Sequence, residues 1–128
     1  MTNHEHHHEL LRDLSDQFKE ILEGSAQAIY VYLDDTHKVC NQKFADLLGY
    51  TSPDEWAKVT EPFPQAFVDE VSQPTLVEAF QETIQQKVGS TIPVTWVRKD
   101  AGTVDTTVIM VPVSFEEHLF ALHFVTKR

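Results

Sequence analysis

Residues 41–56, NQKFADLLGYTSPDEW, place two helix starts and a glycine break within sixteen positions. Asn41 can accept a hydrogen bond from the free amides of a first helical turn. Gly49 stands where a left-handed residue ends the helix at least cost. SPDE at 52–55 is a capping box with Pro53 at the first helical position. Neither helix can exceed about two turns, and helices that short are not stable alone in water. They must therefore be organised by something larger, and the rest of the chain supplies strands.

AIYVYL at 28–33 is β-branched and aromatic without a breaker, DDTH at 34–37 is a turn, and KVC offers a brief return strand. After the short helices, QAFVDEV adds one further turn, and Thr75 with Glu78 forms another capping box after Pro74. The helix it starts runs to about Val88, with Leu76, Phe80, Ile84 and Val88 along one face and Gly89 closing it. Then come TIPVTWVR, TVDTTVIMVPVSF and LFALHFV, three strands separated by the turns KDAG and EEH. Pro93 cannot donate to a central ladder, which puts its strand at an edge. The order α-β-β-α-α-α-α-β-β-β describes an α+β domain built on one antiparallel sheet.

Ahead of these lies ELLRDLSDQFKEIL, residues 9–22, with Leu11, Leu14, Phe18 and Ile21 at 3-4-3 spacing, widened by Leu10 and Leu22. Two uses of this stripe are open: packing on the chain's own domain, or a dimer contact. The organisation expected is an N-terminal arm and amphipathic helix over residues 1–23 and a core domain over 24–128.

With 128 residues and an apolar share of 41%, the chain has enough material for one core. Ten basic against twenty acidic side chains give a formal charge of −10, which argues against nucleic acid and against anionic membrane surfaces. No apolar run approaches the ~18 residues of a membrane span, and the polar N-terminus is not a secretory signal, so a cytoplasmic protein is expected. The single Cys40 excludes an internal disulfide and any multi-cysteine zinc site.

The element order and its caps resemble the PAS family of sensory domains over roughly residues 19–126. The landmarks are ILEGSAQAIYVYLDD, NQKFADLLGYTSPDEW and VRKDAGTVDTTVIMVPV followed by LFALHFV. The resemblance implies a five-stranded antiparallel sheet with short helices on one face walling off a pocket. It also explains why those helices are short: they line a cavity. Two turns depart from the family pattern, DDTHK where a glycine is usual and KDAG where KDG is common.

Members of that family hold flavin, haem, small organic ligands or nothing. Cys40 in VCNQKF lies before the core helix that carries the reactive cysteine of the flavin-binding light sensors, and LVEAFQETIQQKV has no histidine where haem-binding relatives have theirs. The cofactor stays open. Tyr30, Tyr32, Phe44, Phe80, Trp96, Met110 and Phe124 are candidate pocket lining for a planar ligand with few charges. Tyr30 and Tyr32 share a face by strand alternation. His123 is the one histidine inside an apolar strand, suited either to a hydrogen-bonded place in the sheet or to a pH- or metal-responsive role. In HEHHH, residues 4–8, His4 and His8 stand one helical turn apart and are weak metal candidates.

Three functions follow. The first is a sensory module that binds a small ligand in an apolar pocket and relays its state through the N-terminal helix or a dimer interface. The second is a ligand-free interaction or dimerisation module. The third, more remote, is a small enzyme. Asp34, Asp35, Asp54 and Asp105 lie in turns, at a cap or in a strand, with no paired acid and base, so catalysis is not expected. The partners expected are a second copy and a signalling protein such as a kinase or regulator, in cis or in trans.

Overall fold

The computed structural model describes residues 3–128, and side chains from residue 6 onward. Five helices and five strands run in the order α1 (Asn3–Gly24), β1 (Ala28–Asp34), β2 (His37–Cys40), α2 (Gln42–Leu47), α3 (Pro53–Ala57), α4 (Phe63–Phe67), α5 (Gln73–Gln86), β3 (Ser90–Val97), β4 (Thr103–Phe115) and β5 (His118–Lys127). A 3-10 turn at Glu70–Ser72 leads into α5. The strands form one antiparallel sheet ordered β2-β1-β5-β4-β3. The strand holding Pro93 is an edge, as a residue without an N–H requires.

The caps at 41–56 form as their chemistry dictates. Asn41 Oδ1 accepts from Phe44 N at 3.1 Å. The same oxygen accepts from Ile29 N at 3.0 Å, while Asn41 Nδ2 donates to Gln27 O at 2.8 Å. One buried amide thus fastens the start of α2 to the start of β1. Gly49 takes φ 81 and leaves room for Arg98, whose guanidinium donates to Leu47 O at 2.8 Å. At α3, Ser52 Oγ accepts from Glu55 N, and the Glu55 carboxylate accepts in turn from Thr51 N.

The long helix departs from its expected ends. It starts at Gln73, with Pro74 in the first turn, so Thr75 and Glu78 lie inside it and do not cap it. The preceding 3-10 turn has already set the chain helical, which removes the need for a side-chain cap. Lys87 takes φ 57 and ends the helix two residues before Gly89.

The sheet is covered on both faces. On one lie α2 to α5 over the main core, in which Phe44, Trp56, Phe67, Trp96 and Met110 are buried. On the other lies α1, where Leu14 and Phe18 pack against Val31, Val113, Phe120 and Leu122. Half of the stripe read as a dimer contact therefore covers the chain's own sheet: Leu14 is 0% exposed, Leu11 and Phe18 are half-buried, and Ile21 is 49% exposed. A 3-4-3 stripe fits a flat sheet as well as it fits a partner helix. No helix among the described residues is long and apolar enough to cross a membrane.

Candidate functional site

Between the sheet and α4–α5 lies a cavity of about 290 Å³, lined by Tyr30, Tyr32, Phe63, Pro64, Leu76, Val77, Phe80, Gln81 and His123. Strand alternation places its floor. Tyr30 pairs with His123 across β1 and β5, Met110 pairs with His123 across β4 and β5, and Tyr32 stands two residues on. The wall is one side of α5, where Leu76, Val77, Phe80 and Gln81 recur at three- and four-residue spacing. Phe63 and Pro64 close the end from α4.

Of the seven residues proposed from sequence, Tyr30, Tyr32 and Phe80 reach the cavity. Phe44 of α2, Trp96 of β3 and Met110 of β4 lie on the same side of the sheet, buried in the core cluster that includes Tyr30, and do not line the cavity. Phe44 and Trp96 lie 4.8 and 5.6 Å from the Tyr30 ring. Trp96 is held by a polar chain: its Nε1 donates to Thr106 Oγ1, which donates to Val94 O. Phe124 is a correction. It pairs with Ile29 and Ile109, one position out of phase with His123, and so belongs to the face that carries α1. Because β5 is apolar on both faces, its sequence does not reveal which residues turn inward. Phe63, Pro64, Leu76, Val77 and Gln81 are lining that the sequence reading lacks; the α5 periodicity is the signal for Leu76 and its neighbours.

His123 is 1% exposed. Its ring stacks on Tyr30 with centroids 4.0 Å apart and planes 8° from parallel, and lies 6.1 Å from Phe80. Nδ1 sits 3.3 Å from Tyr30 O. Burial pushes its pKa down to about 3, against smaller opposing effects of the Tyr30 and Ala121 backbone, so the ring is neutral at physiological pH. Burial likewise raises the Tyr30 phenol well above its ordinary value. Tyr32 Oη donates to Asp35 Oδ1 at 2.9 Å, and its pKa is raised by burial first and then by that carboxylate. The same Asp35 oxygen accepts from Phe63 N at 2.8 Å. Among the described residues, the lining includes no carboxylate.

Two other groups singled out by sequence lie elsewhere. Cys40 is buried at the end of β2 with its thiol pushed up to about 12 by burial, so it is protonated and a poor nucleophile. The histidine arm meets the first hairpin. His7 Nδ1 lies 2.6 Å from Asp34 Oδ2, and His37 Nδ1 lies 2.8 Å from Asp34 Oδ1. Partial burial opposes ionisation of Asp34, but hydrogen bonds from His7, His37 and Thr36 outweigh it and hold the carboxyl well below its usual range. His8 is exposed, its ring 6.4 Å from that of His37, whereas the side chain of His4 lies outside the described residues.

No protein-family model and no curated protein matches the chain. Solved structures do. A PAS domain of a protein from Colwellia psychrerythraea superposes with a TM-score of 0.69 at 16% identity, covering 91% of this chain and 98% of that one. The PAS domain of an HTR-like protein from Haloarcula marismortui gives a TM-score of 0.63 at 20% identity, covering 97% and 99%. A PAS domain from a two-component sensor histidine kinase gives 0.66 at 15% identity, covering 91% and 99%. The chain has the PAS fold.

Proposed function

We propose that this PAS-fold chain is a sensory module that takes a small, uncharged, largely apolar ligand between β1 and α5 and passes the occupied state to α1. The observation that carries the reading is the double use of β1. Tyr30 and Tyr32 form the cavity floor, while Val31 between them packs against Leu14 of α1. A ligand that moves β1 moves the seat of α1. For that to signal, the ligand must bind one placement of the strand better than the other.

The cavity volume of about 290 Å³ lies at the low end of the ~300–1,000 Å³ usual for small-molecule sites. That size favours a metabolite-sized planar molecule over a large prosthetic group. Tyr30 brings a hydroxyl to the lining, and neutral His123 adds no charge. A lining of aromatic and aliphatic side chains around a histidine that stays neutral supports sensing over proton-transfer catalysis.

A second reading, a ligand-free dimerisation module, rests on Ile21, Ile109 and Val111, apolar side chains left well exposed. A kinase or regulator in cis or in trans is the proposed recipient in either case.

Native mass spectrometry with an absorption spectrum of the purified chain tests for a retained ligand. A thermal-shift screen of small neutral aromatic and aliphatic compounds then tests for an exchangeable one. Retained extra mass, or a Tm rise that Leu76→Trp abolishes by filling the cavity, is the expected result. Bare mass with no compound raising Tm sinks the sensor reading. In that event, self-association lost in Ile21→Glu supports the dimerisation module. Deleting the whole of α1 is a poorer test, since it would also uncover Val31 and Phe120.

A further inference from the structure

We propose that His7, Asp34 and His37 form a binding site for a divalent transition-metal ion, which clamps α1 to the β1–β2 hairpin. One ligand atom from each of the three lies within 4.8 Å of the others. Two imidazoles and a carboxylate are the donor set of zinc and its neighbours in the first transition row. The residues come from separate elements, and the fold brings them together across 27 positions of sequence.

The site is built on the hairpin side. Asp34 Oδ1 accepts from Thr36 N at 2.9 Å and Thr36 Oγ1 at 3.0 Å, which fixes the carboxylate in its turn. His37 is 5% exposed, so its ring is held by packing. His7 is half-buried on the helix and is the member able to adjust. Both carboxylate oxygens already face imidazoles, Oδ2 towards His7 and Oδ1 towards His37. A metal ion would replace the protons now shared along these contacts, with the imidazoles bound as neutral rings. Around zinc at ligand distances of about 2.0–2.2 Å, tetrahedral donors stand roughly 3.3–3.6 Å apart, so the 2.6 and 2.8 Å contacts of Asp34 with His7 and His37 must open as the ion enters between them. The fourth tetrahedral position falls to water or to His118, whose ring centroid is 5.6 Å from that of His7.

The site is independent of the cavity, and its test does not depend on a ligand there. The full chain, stripped with chelator, is titrated with Co²⁺ and followed by its visible ligand-field bands, then with Zn²⁺ by calorimetry. One Co²⁺ per chain with intense bands, displaced by Zn²⁺, is expected. His7→Ala and His37→Gln should each weaken Zn²⁺ by more than about tenfold, since even outer-sphere changes lose 10–100-fold. His7→Ala alters a half-buried helical position and leaves the hairpin intact, so it remains informative if His37→Gln is unstable. A triple variant, His4→Ala, His6→Ala and His8→Ala, should keep the bands. Binding that survives in His7→Ala but disappears in the triple variant would assign the metal to the arm alone and overturn the site. So would weak uptake of several ions without the bands.

Discussion

Replacing His123 gives a quantitative test of how the cavity floor is built. In the folded chain its pKa is pushed down from 6.5 to about 3, chiefly by burial. Between those values the unfolded chain binds a proton that the folded chain excludes, so stability falls as pH falls. The contribution is intact above about pH 6.5 and is lost progressively towards pH 3, at ~1.4 kcal/mol per unit. From pH 7 to pH 5 the loss from this one group comes to about 2 kcal/mol. With the ring 1% exposed, solvent screening takes little from that figure. The window also excludes Asp34, whose carboxyl is held below its ordinary 3.8 and contributes its own loss only in stronger acid. The assay is urea unfolding of the wild type and His123→Phe at pH 7 and pH 5. The wild type should lose about 2 kcal/mol more than the variant, whose other histidines are unchanged. His123→Gln, equally unable to titrate, serves if Phe overpacks against Tyr30. Equal losses in wild type and variants would refute the reasoning, because they would mean that the folded chain admits the proton as readily as the unfolded one.

Asn41→Ala removes a helix cap, a strand tie and a donor in one step, and should destabilise the chain by roughly 2–4 kcal/mol in chemical denaturation. Asn41→Asp, which keeps the acceptor but not the donor to Gln27 O, should restore only part of that. At the β4–β5 turn Glu116 and Glu117 take φ 49 and 63, the left-handed pair that an Asn-Gly dipeptide adopts far more readily. The double substitution Glu116→Asn with Glu117→Gly should raise Tm by roughly 5 °C in calorimetry.

How much of this is legible in the sequence depends on whether the deciding interaction is local. Asn41, Gly49 and Ser52 act within a few residues of themselves, and the structure has them where their side-chain chemistry puts them. Pro93 at an edge is equally local. The start of α5 escapes a sequence reading because a 3-10 turn, which leaves little trace in composition, initiates it ahead of Thr75. Phe124 falls on the wrong face in such a reading because a sheet covered on both sides blurs the alternation that would orient β5. The stripe on α1 shows that something covers it, and only the fold shows that part of the cover is the chain's own sheet. The meeting of His7 with Asp34 and His37 depends on where a helix lands, so HEHHH draws attention to His4 and His8 instead.

The shared wall has a consequence for anyone reshaping this cavity. β1 is fixed between β2 and β5, with the pocket on one side and α1 on the other. A larger residue at Tyr30 or Tyr32 would therefore be felt at Leu14, and under the sensory function proposed above a change of ligand preference made there would also alter the output. The α5 wall has no such double duty: Val77 and Gln81 line the cavity and also stand exposed to solvent. Under that proposed function, selectivity and signalling are separable by address, with diversity admissible on the helix and constancy demanded of the strand.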